Sequence, residues 1–196
     1  KRQYHDCITT GHWNYEENYT EPLLHFAIKR GNIEIYNFEI INMASNPLYF
    51  SYDANIHFEN LTMKHCKEGP KIQEGNNVTV QHCLIEDMGT RLFYLSKSDN
   101  VLINDSILKT GGLEVPASQG IWLVSGNNNT VISNNEIADT YQSLIQIGGS
   151  DGFNMDKLLS IKIINNHIHH CGKNLFDDMA GITILNHCRG VILEHN

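Results

Sequence analysis

The chain has 196 residues and a mass of 22.3 kDa, the size of one domain or of part of one. It carries 14 Lys and Arg against 22 Asp and Glu, and the formal net charge of −8 argues against a nucleic-acid partner, which requires a basic face. No apolar run approaches the roughly 18 residues of a membrane-spanning helix, so we expect no membrane span. The 23 Asn and 23 Ile predict many tight turns and many strands.

A short pattern recurs along the chain, and its copies begin at Asn32, Asn55, Asn77, Asn100, Asn129, Ser160 and Gly190. Within a copy, apolar residues fall at offsets 1, 3 and 8 from the start, with polar residues around them. The first two apolar positions have the period of a strand, and the polar pair at offsets 5 and 6 predicts a corner. A second strand is expected to begin at offset 8.

Asparagine is frequent at this predicted corner. Its side chain tolerates the left-handed backbone of a tight turn, and its amide can bond to the amide of the next coil. The corner residues are Asn37, Asn60, Asn134 and Asn165, followed one position later by Asn135, Asn166 and Asn196.

A third apolar segment is expected in each repeat, and the segments assigned to it are 48–50, 92–95, 120–123, 144–147 and 181–185. Three short strands in each repeat of 22 to 31 residues are typical of a parallel β-helix. We therefore predict an all-β solenoid of about six to seven coils over residues 1–196 as a single domain. We expect it to be a fragment truncated at both ends, with further coils or domains elsewhere in the same protein.

The coils differ in length. Those over 32–99 are short, whereas those over 100–189 contain longer loops, at 109–119, 138–143, 148–157 and 169–181. Long loops on one face of a rigid scaffold are common places for binding and chemistry. The candidate site is therefore expected among the later coils.

Five cysteines, Cys7, Cys66, Cys83, Cys171 and Cys188, have neither CxxC spacing nor the spacing of a zinc site. We interpret them as small, mainly buried residues. No metal and no cofactor is predicted.

Several motifs occur together in the later coils: GIW at 120–122, NEIADT at 135–140, NNHIHH at 165–170 and LFDDMAG at 175–181. Over about residues 110–196 the chain resembles the right-handed parallel β-helix proteins of glycoside hydrolase family 141. The LFDDMAG block, in the coil after NEIADT, is the most specific part of this resemblance.

The resemblance implies a right-handed β-helix and a carbohydrate-active enzyme that is secreted, periplasmic or on the cell surface. Known activities of the family are α-L-fucosidase and xylanase. The family's proposed acid–base pair corresponds to Asp139 and Asp178. The expected partner is a polysaccharide or oligosaccharide.

The residues themselves are compatible with this pair. If Gly120 and Gly181 lie in one column of the solenoid, Asp139 and Asp178 are one or two coils apart and their carboxyls can face one groove. Glycoside hydrolysis uses two carboxyl groups about 5–5.5 Å apart for retention and about 6.5–9.5 Å apart for inversion. Alternatively, Asp139 caps a turn and Asp178 is a solvated loop residue.

Seven residues near the long loops are candidates for substrate binding: Trp122, Gln119, Tyr141, Gln146, His167, His169 and Asp177. Trp122 alternates with Ile121 and is expected on the outer surface, where it stacks on a sugar or packs under the 109–119 loop. Gln119 and Gln146 are amides able to bind hydroxyl groups. His167 and His169 are expected on one face of a strand, and Asp177 is either a cation ligand or a solvated acid.

Three functions are compatible with these features. The first is a glycoside hydrolase that uses Asp139 and Asp178. The second is a non-catalytic glycan-binding or adhesin β-helix, in which the Asp residues only shape corners. The third and least favoured is a calcium-dependent polysaccharide lyase with Lys157, Lys173 or Arg189 as base.

Overall fold

The computed structural model describes residues 24–27, 31–51, 54–149, 158–173, 179–185 and 188–196. In these ranges the chain forms 21 strands, arranged in three parallel sheets. The described residues include no helix long and apolar enough to cross a membrane.

Sheet A contains seven strands, each hydrogen-bonded to the equivalent strand of the next coil. They are β1 (Leu24–Ala27), β4 (Leu48–Ser51), β7 (Lys71–Gln73), β10 (Phe93–Ser96), β13 (Ile121–Leu123), β16 (Ile145–Ile147) and β19 (Ile182–Ile184).

Sheet B is built in the same way and follows sheet A in each coil. Its strands are β2 (Gly31–Tyr36), β5 (Ala54–Glu59), β8 (Asn76–Gln81), β11 (Asp99–Asn104), β14 (Asn128–Ser133), β17 (Leu158–Ile164) and β20 (Cys188–Arg189), and β21 (Ile192–Glu194) also pairs with β17.

Sheet C completes each coil and contains six strands. These are β3 (Glu39–Ile41), β6 (Thr62–Lys64), β9 (Leu84–Met88), β12 (Ile107–Gly111), β15 (Glu136–Ala138) and β18 (His167–His169).

This arrangement confirms the predicted parallel β-helix. The predicted third strands correspond to β4, β10, β13, β16 and β19. Strands β1 and β7 of sheet A were not predicted. In β7, Ile72 is the only apolar residue and lies between Lys71 and Gln73. So short a segment has too little alternation to be recognised without its neighbours in the stack.

The core is formed by the inward residue of each strand, which lies directly above its equivalent in the next coil. In sheet B, for example, Phe58 pairs in register with Val80, and Val80 pairs with Ile103. All three side chains are fully buried. The rings of Phe50, in sheet A, and Phe58 lie 5.3 Å apart and connect two sheets across the interior.

The predicted corner asparagines have the expected backbone conformation. Asn37, Asn60, Asn134 and Asn165 have φ values of 52°, 54°, 56° and 57°, in the left-handed region. Asparagine adopts this conformation more readily than most residues other than glycine, which accounts for its frequency at this turn between sheets B and C.

The next position of the corner is buried and forms a ladder of amides. The Asn166 Oδ1 accepts a hydrogen bond of 3.0 Å from the Asn135 backbone N–H, and its Nδ2 donates one of 3.0 Å to the Ile132 carbonyl. The Asn196 Oδ1 in turn accepts from the Asn166 N–H at 3.1 Å. Each side chain thus satisfies backbone groups that the turn leaves without strand partners.

Two of the cysteines fit the interpretation as small buried residues. Cys66 and Cys83 are buried free thiols, and burial raises the pKa of both. Cys171 is exposed and Cys188 is partly buried, so the interpretation holds less well for them. Cys7 lies outside the described residues.

The buried ladder can be tested by truncating one of its amides. We expect Asn166→Ala to lower the free energy of unfolding by about 1–3 kcal/mol, because it leaves buried backbone groups unpaired. The measurement is the midpoint of urea unfolding. Asn55→Ala is the matched control, since Asn55 donates to Asn32 on the exposed surface at 2.8 Å. A loss as small as that of the control would contradict the role assigned to the ladder.

Candidate functional site

The long segments lie mainly on one side of the solenoid. Residues 112–120, 139–144 and 170–181 all connect a strand of sheet C to the following strand of sheet A. Of the last segment, residues 174–178 lie outside the described part of the chain. We therefore expect a site on the outer surfaces next to these segments.

Asp139 lies directly after β15, at the end of a sheet C strand. Its φ of 62° is left-handed, and its side chain is 30% exposed. The Asp139 Oδ1 is 2.6 Å from the Lys173 Nζ and 4.0 Å from the His170 Nδ1. The hydrogen bond from Lys173, followed by the nearby positive charges, holds the pKa of Asp139 below its ordinary value, although partial burial opposes this shift.

The histidines of β18 lie beside Asp139. His167 and His169 share the outer face of this strand, as predicted, and their ring centroids are 4.2 Å apart. The His169 Nδ1 is 2.8 Å from the His170 Nδ1, and its Nε2 is 3.6 Å from the Glu136 Oε1.

Together these contacts form one continuous network, from Glu136 through His169, His170 and Asp139 to Lys173. We call these five residues the sheet C network. It contains two carboxylates, two imidazoles and an ammonium group, which are the groups that proteins use to hold and move protons.

Glu136 was not among the predicted site residues. The available signal was the period of β15: Ile137 is buried, so its neighbour Glu136 points outward on the strand that Asp139 terminates.

Trp122 lies on the outer face of sheet A, because Ile121 and Leu123 on either side of it are fully buried. This confirms its predicted orientation. The Trp122 Nε1 donates a 3.0 Å hydrogen bond to the Gly148 carbonyl, and the Tyr94 ring meets the indole edge-on at a centroid distance of 5.7 Å.

The two predicted amides are more covered than Trp122. Gln146 follows Trp122 in register on sheet A, but it is 7% exposed and its Nε2 donates to the Gly148 carbonyl. Gln119 is 9% exposed, and its Oε1 lacks a hydrogen-bond partner among the described residues. Tyr141 lies in the segment between β15 and β16, close to Gly112.

Gly120 and Gly181 do lie in one column, with Leu144 between them. The Gly120 N–H donates to the carbonyl of Ser143, and the carbonyl of Gly181 accepts from the Ile145 N–H. In the coil after Asp139, the equivalent position is taken by His170. Asp178 and Asp177 lie outside the described residues, so the predicted pair remains a prediction.

The groups expected for a lyase occupy separate surroundings. Lys173 is paired with Asp139, Arg189 belongs to β20 of sheet B, and Lys157 lies outside the described residues. In the part of the chain that the structure describes, no cluster of three or more His, Cys, Asp or Glu is arranged to hold a metal ion.

Comparison with known families agrees with the three parallel sheets. The family described as right-handed β-helix region matches residues 26–157, about two thirds of the chain. The chain belongs to the right-handed β-helix family. No curated protein and no solved structure gives a significant match. Membership gives the handedness of this β-helix and is compatible with a carbohydrate-active or a binding role.

The charge pair in the sheet C network can be tested by titration. We expect Lys173→Gln to raise the pKa of Asp139 toward its ordinary value, measured by NMR of the carboxyl carbon. Because the pKa of Asp139 is lowered in the folded state, the pair stabilises the fold above the pKa of an unfolded Asp, about 3.9. That stability is lost as pH falls through the folded pKa.

The difference in stability between the wild type and Lys173→Gln should therefore be greatest near neutral pH and disappear in strong acid. Lys162→Gln is the control, because Lys162 is exposed on sheet B. An Asp139 pKa that is the same in both variants would show that Lys173 does not set it.

Proposed function

We propose that this β-helix is a carbohydrate-active enzyme that hydrolyses glycosidic bonds in a polysaccharide or glycan side chain. The proposal rests on Asp139, a partly exposed carboxylate beside Lys173 with a lowered pKa. Such a group is ionised at neutral pH, as a nucleophile or general base must be. The proposed catalytic pair is Asp139 and Asp178.

In this proposal the two carboxyls have different roles. Asp178, as general acid, protonates the glycosidic oxygen while the bond from that oxygen to the anomeric carbon breaks. Asp139 either attacks the anomeric carbon itself or removes a proton from the attacking water. The separation of the two carboxyls decides between these two routes and thus between retention and inversion.

The neighbouring side chains supply binding groups. His167 is exposed and offers ring nitrogens to sugar hydroxyls. The Nε2 of His169 is buried beside Glu136 and its Nδ1 contacts His170, so His169 contributes to the network around Asp139. Trp122 is partly exposed on the adjoining sheet, with the Arg91 guanidinium 4.7 Å from its ring, and the uncovered indole surface is available to a sugar. We further propose an activity of the kind found in glycoside hydrolase family 141, as α-L-fucosidase or xylanase, and a location outside the cytoplasm. Additional coils of the same protein would complete the binding surface.

The hydrolase proposal predicts that Asp139→Asn and Asp178→Asn each reduce the rate of glycan hydrolysis by at least about a hundredfold, because each removes a group that transfers a proton or attacks carbon. Release of reducing sugar from fucosylated glycans and from xylan is the measurement. Folding of each variant is checked by its urea midpoint.

Asp87→Asn is the matched control. Asp87 occupies the same corner column as Asp139, two coils earlier, with a φ of 59° and a histidine, His65, at 3.4 Å. Its substitution should leave hydrolysis unchanged. Full activity in Asp139→Asn would exclude this carboxylate from catalysis.

A second function is favoured by a separate observation. Sheet A carries Tyr49, Tyr94 and Trp122 in one outward column, along the direction in which the coils stack. Such a row of aromatic rings binds sugar rings by stacking and needs no catalytic group. A non-catalytic glycan-binding or adhesin β-helix is therefore the alternative to hydrolysis.

Both functions predict that Trp122→Ala weakens glycan binding by about tenfold, through loss of the stacking surface. Binding is measured by affinity electrophoresis in gels that contain a soluble glycan. Tyr36→Ala provides the control, since Tyr36 is an exposed aromatic on sheet B, 46% accessible. If the wild-type protein binds glycan but does not hydrolyse it, the non-catalytic binding function is favoured over the hydrolase. If the glycan in the gel slows Trp122→Ala and Tyr36→Ala equally, sheet A is not part of the binding site.

A further inference from the structure

A lysine lies between two aromatic rings on the outer face of sheet A. Tyr49, Lys71 and Tyr94 come from three successive strands and are in register. The Lys71 Nζ is 5.1 Å from the centroid of the Tyr49 ring and 5.2 Å from that of Tyr94. Both distances are within the range of cation–π attraction, which orders the ammonium group between the rings.

The charge of Lys71 is not neutralised in the same way as that of its neighbours. Arg91, which lies over Trp122 on this face, pairs with Glu68 at 2.9 Å. On sheet C, Lys64 and Lys109 both pair with Glu86. Among the described residues no carboxylate comes within ion-pair distance of Lys71.

Polar groups that suit a sugar lie next to this lysine. Ser51, Gln73 and Ser96 form the next column of sheet A, in register with one another; Ser51 and Gln73 are partly exposed, whereas Ser96 is buried. The Tyr49 hydroxyl donates to the Gln73 Oε1, so the amide nitrogen of Gln73 takes no part in that bond. Hydroxyl and amide groups beside aromatic rings are the usual partners of sugar hydroxyls.

We propose that Tyr49, Lys71, Gln73 and Tyr94, called here the sheet A cradle, bind an anionic sugar residue. The Lys71 ammonium receives its carboxylate or sulfate group, and the tyrosine rings contact the sugar on either side. The glycan continues along the stacking direction to Trp122. The ligand is therefore an anionic polysaccharide, either a polyuronate or a sulfated glycan.

This inference rests on the proposed function, because it names the class of glycan that the β-helix takes. The chain as a whole is acidic, with a formal net charge of −8, so its overall electrostatic field repels a polyanion. Attraction of a polyanion must therefore come from the positive charge in the cradle. Selection for anionic sugars must consequently depend on Lys71 itself.

The test is equilibrium binding, measured by calorimetry, to the Asp139→Asn protein so that no ligand is hydrolysed. The probes are polygalacturonate and dextran sulfate, each with a neutral counterpart: fully methyl-esterified polygalacturonate and dextran. We expect a charged probe to bind more tightly than its neutral counterpart. Lys71→Gln should weaken that binding by about tenfold and leave the neutral counterpart unaffected.

Lys109→Gln on sheet C is the matched control and should bind all four probes as the parent does. A response confined to polygalacturonate identifies a uronate as the ligand, and one confined to dextran sulfate identifies a sulfate ester.

The inference is overturned if neither charged probe binds, or if Lys71→Gln weakens the binding of charged and neutral probes equally or not at all. If Lys71→Gln has no effect while Trp122→Ala still weakens glycan binding, the inference fails and the proposed function stands. If Trp122→Ala has no effect either, sheet A is not the glycan-binding face.

Discussion

The left-handed corner between strands is the constraint on which the rest of this structure depends. In a parallel β-helix every coil must turn at the same places, and at the turn between sheets B and C one residue of each coil adopts φ near +55°, as Asn37, Asn60 and Asn134 do. The turn leaves backbone N–H and carbonyl groups without partners inside the solenoid. The buried amides of Asn135 and Asn166 bond to those groups and to each other, which fixes the register between successive coils.

The same constraint positions the candidate site. Sheet C strands also end in a column of left-handed residues, which includes Asp87, Asp139 and His170. Because this backbone conformation fixes the start of the side chain, Asp139 is brought beside His170 of the following coil. Lys173 then completes the charge pair from the long segment that follows His170. Asp139, a corner residue of the fold, is thus an ionised carboxylate held in a fixed position on the outer surface.

The two outer faces differ in how their charges are compensated. On sheet C, Lys64 and Lys109 both pair with Glu86, and histidines accompany Glu136 and Asp139, so each of these groups has a partner within the protein. On sheet A, Arg91 pairs with Glu68, whereas aromatic rings surround Lys71 and supply no formal charge. Under the two proposals, the sheet C network is suited to proton chemistry and the sheet A cradle to receiving an anion.

The sequence by itself determined the repeat, the parallel β-helix, most of the strands, the corner asparagines and the outward direction of Trp122. These features depend on the period of two along a strand and on the backbone preference of asparagine, both of which are local. Only the tertiary structure decided that β7 is a strand, that Glu136, His169, His170, Asp139 and Lys173 form one network, and that Lys71 lies between two tyrosines. Such contacts join residues one coil apart, and because coil length varies from 22 to 31 residues, their alignment follows from the stacking of strands and not from any fixed spacing in the sequence.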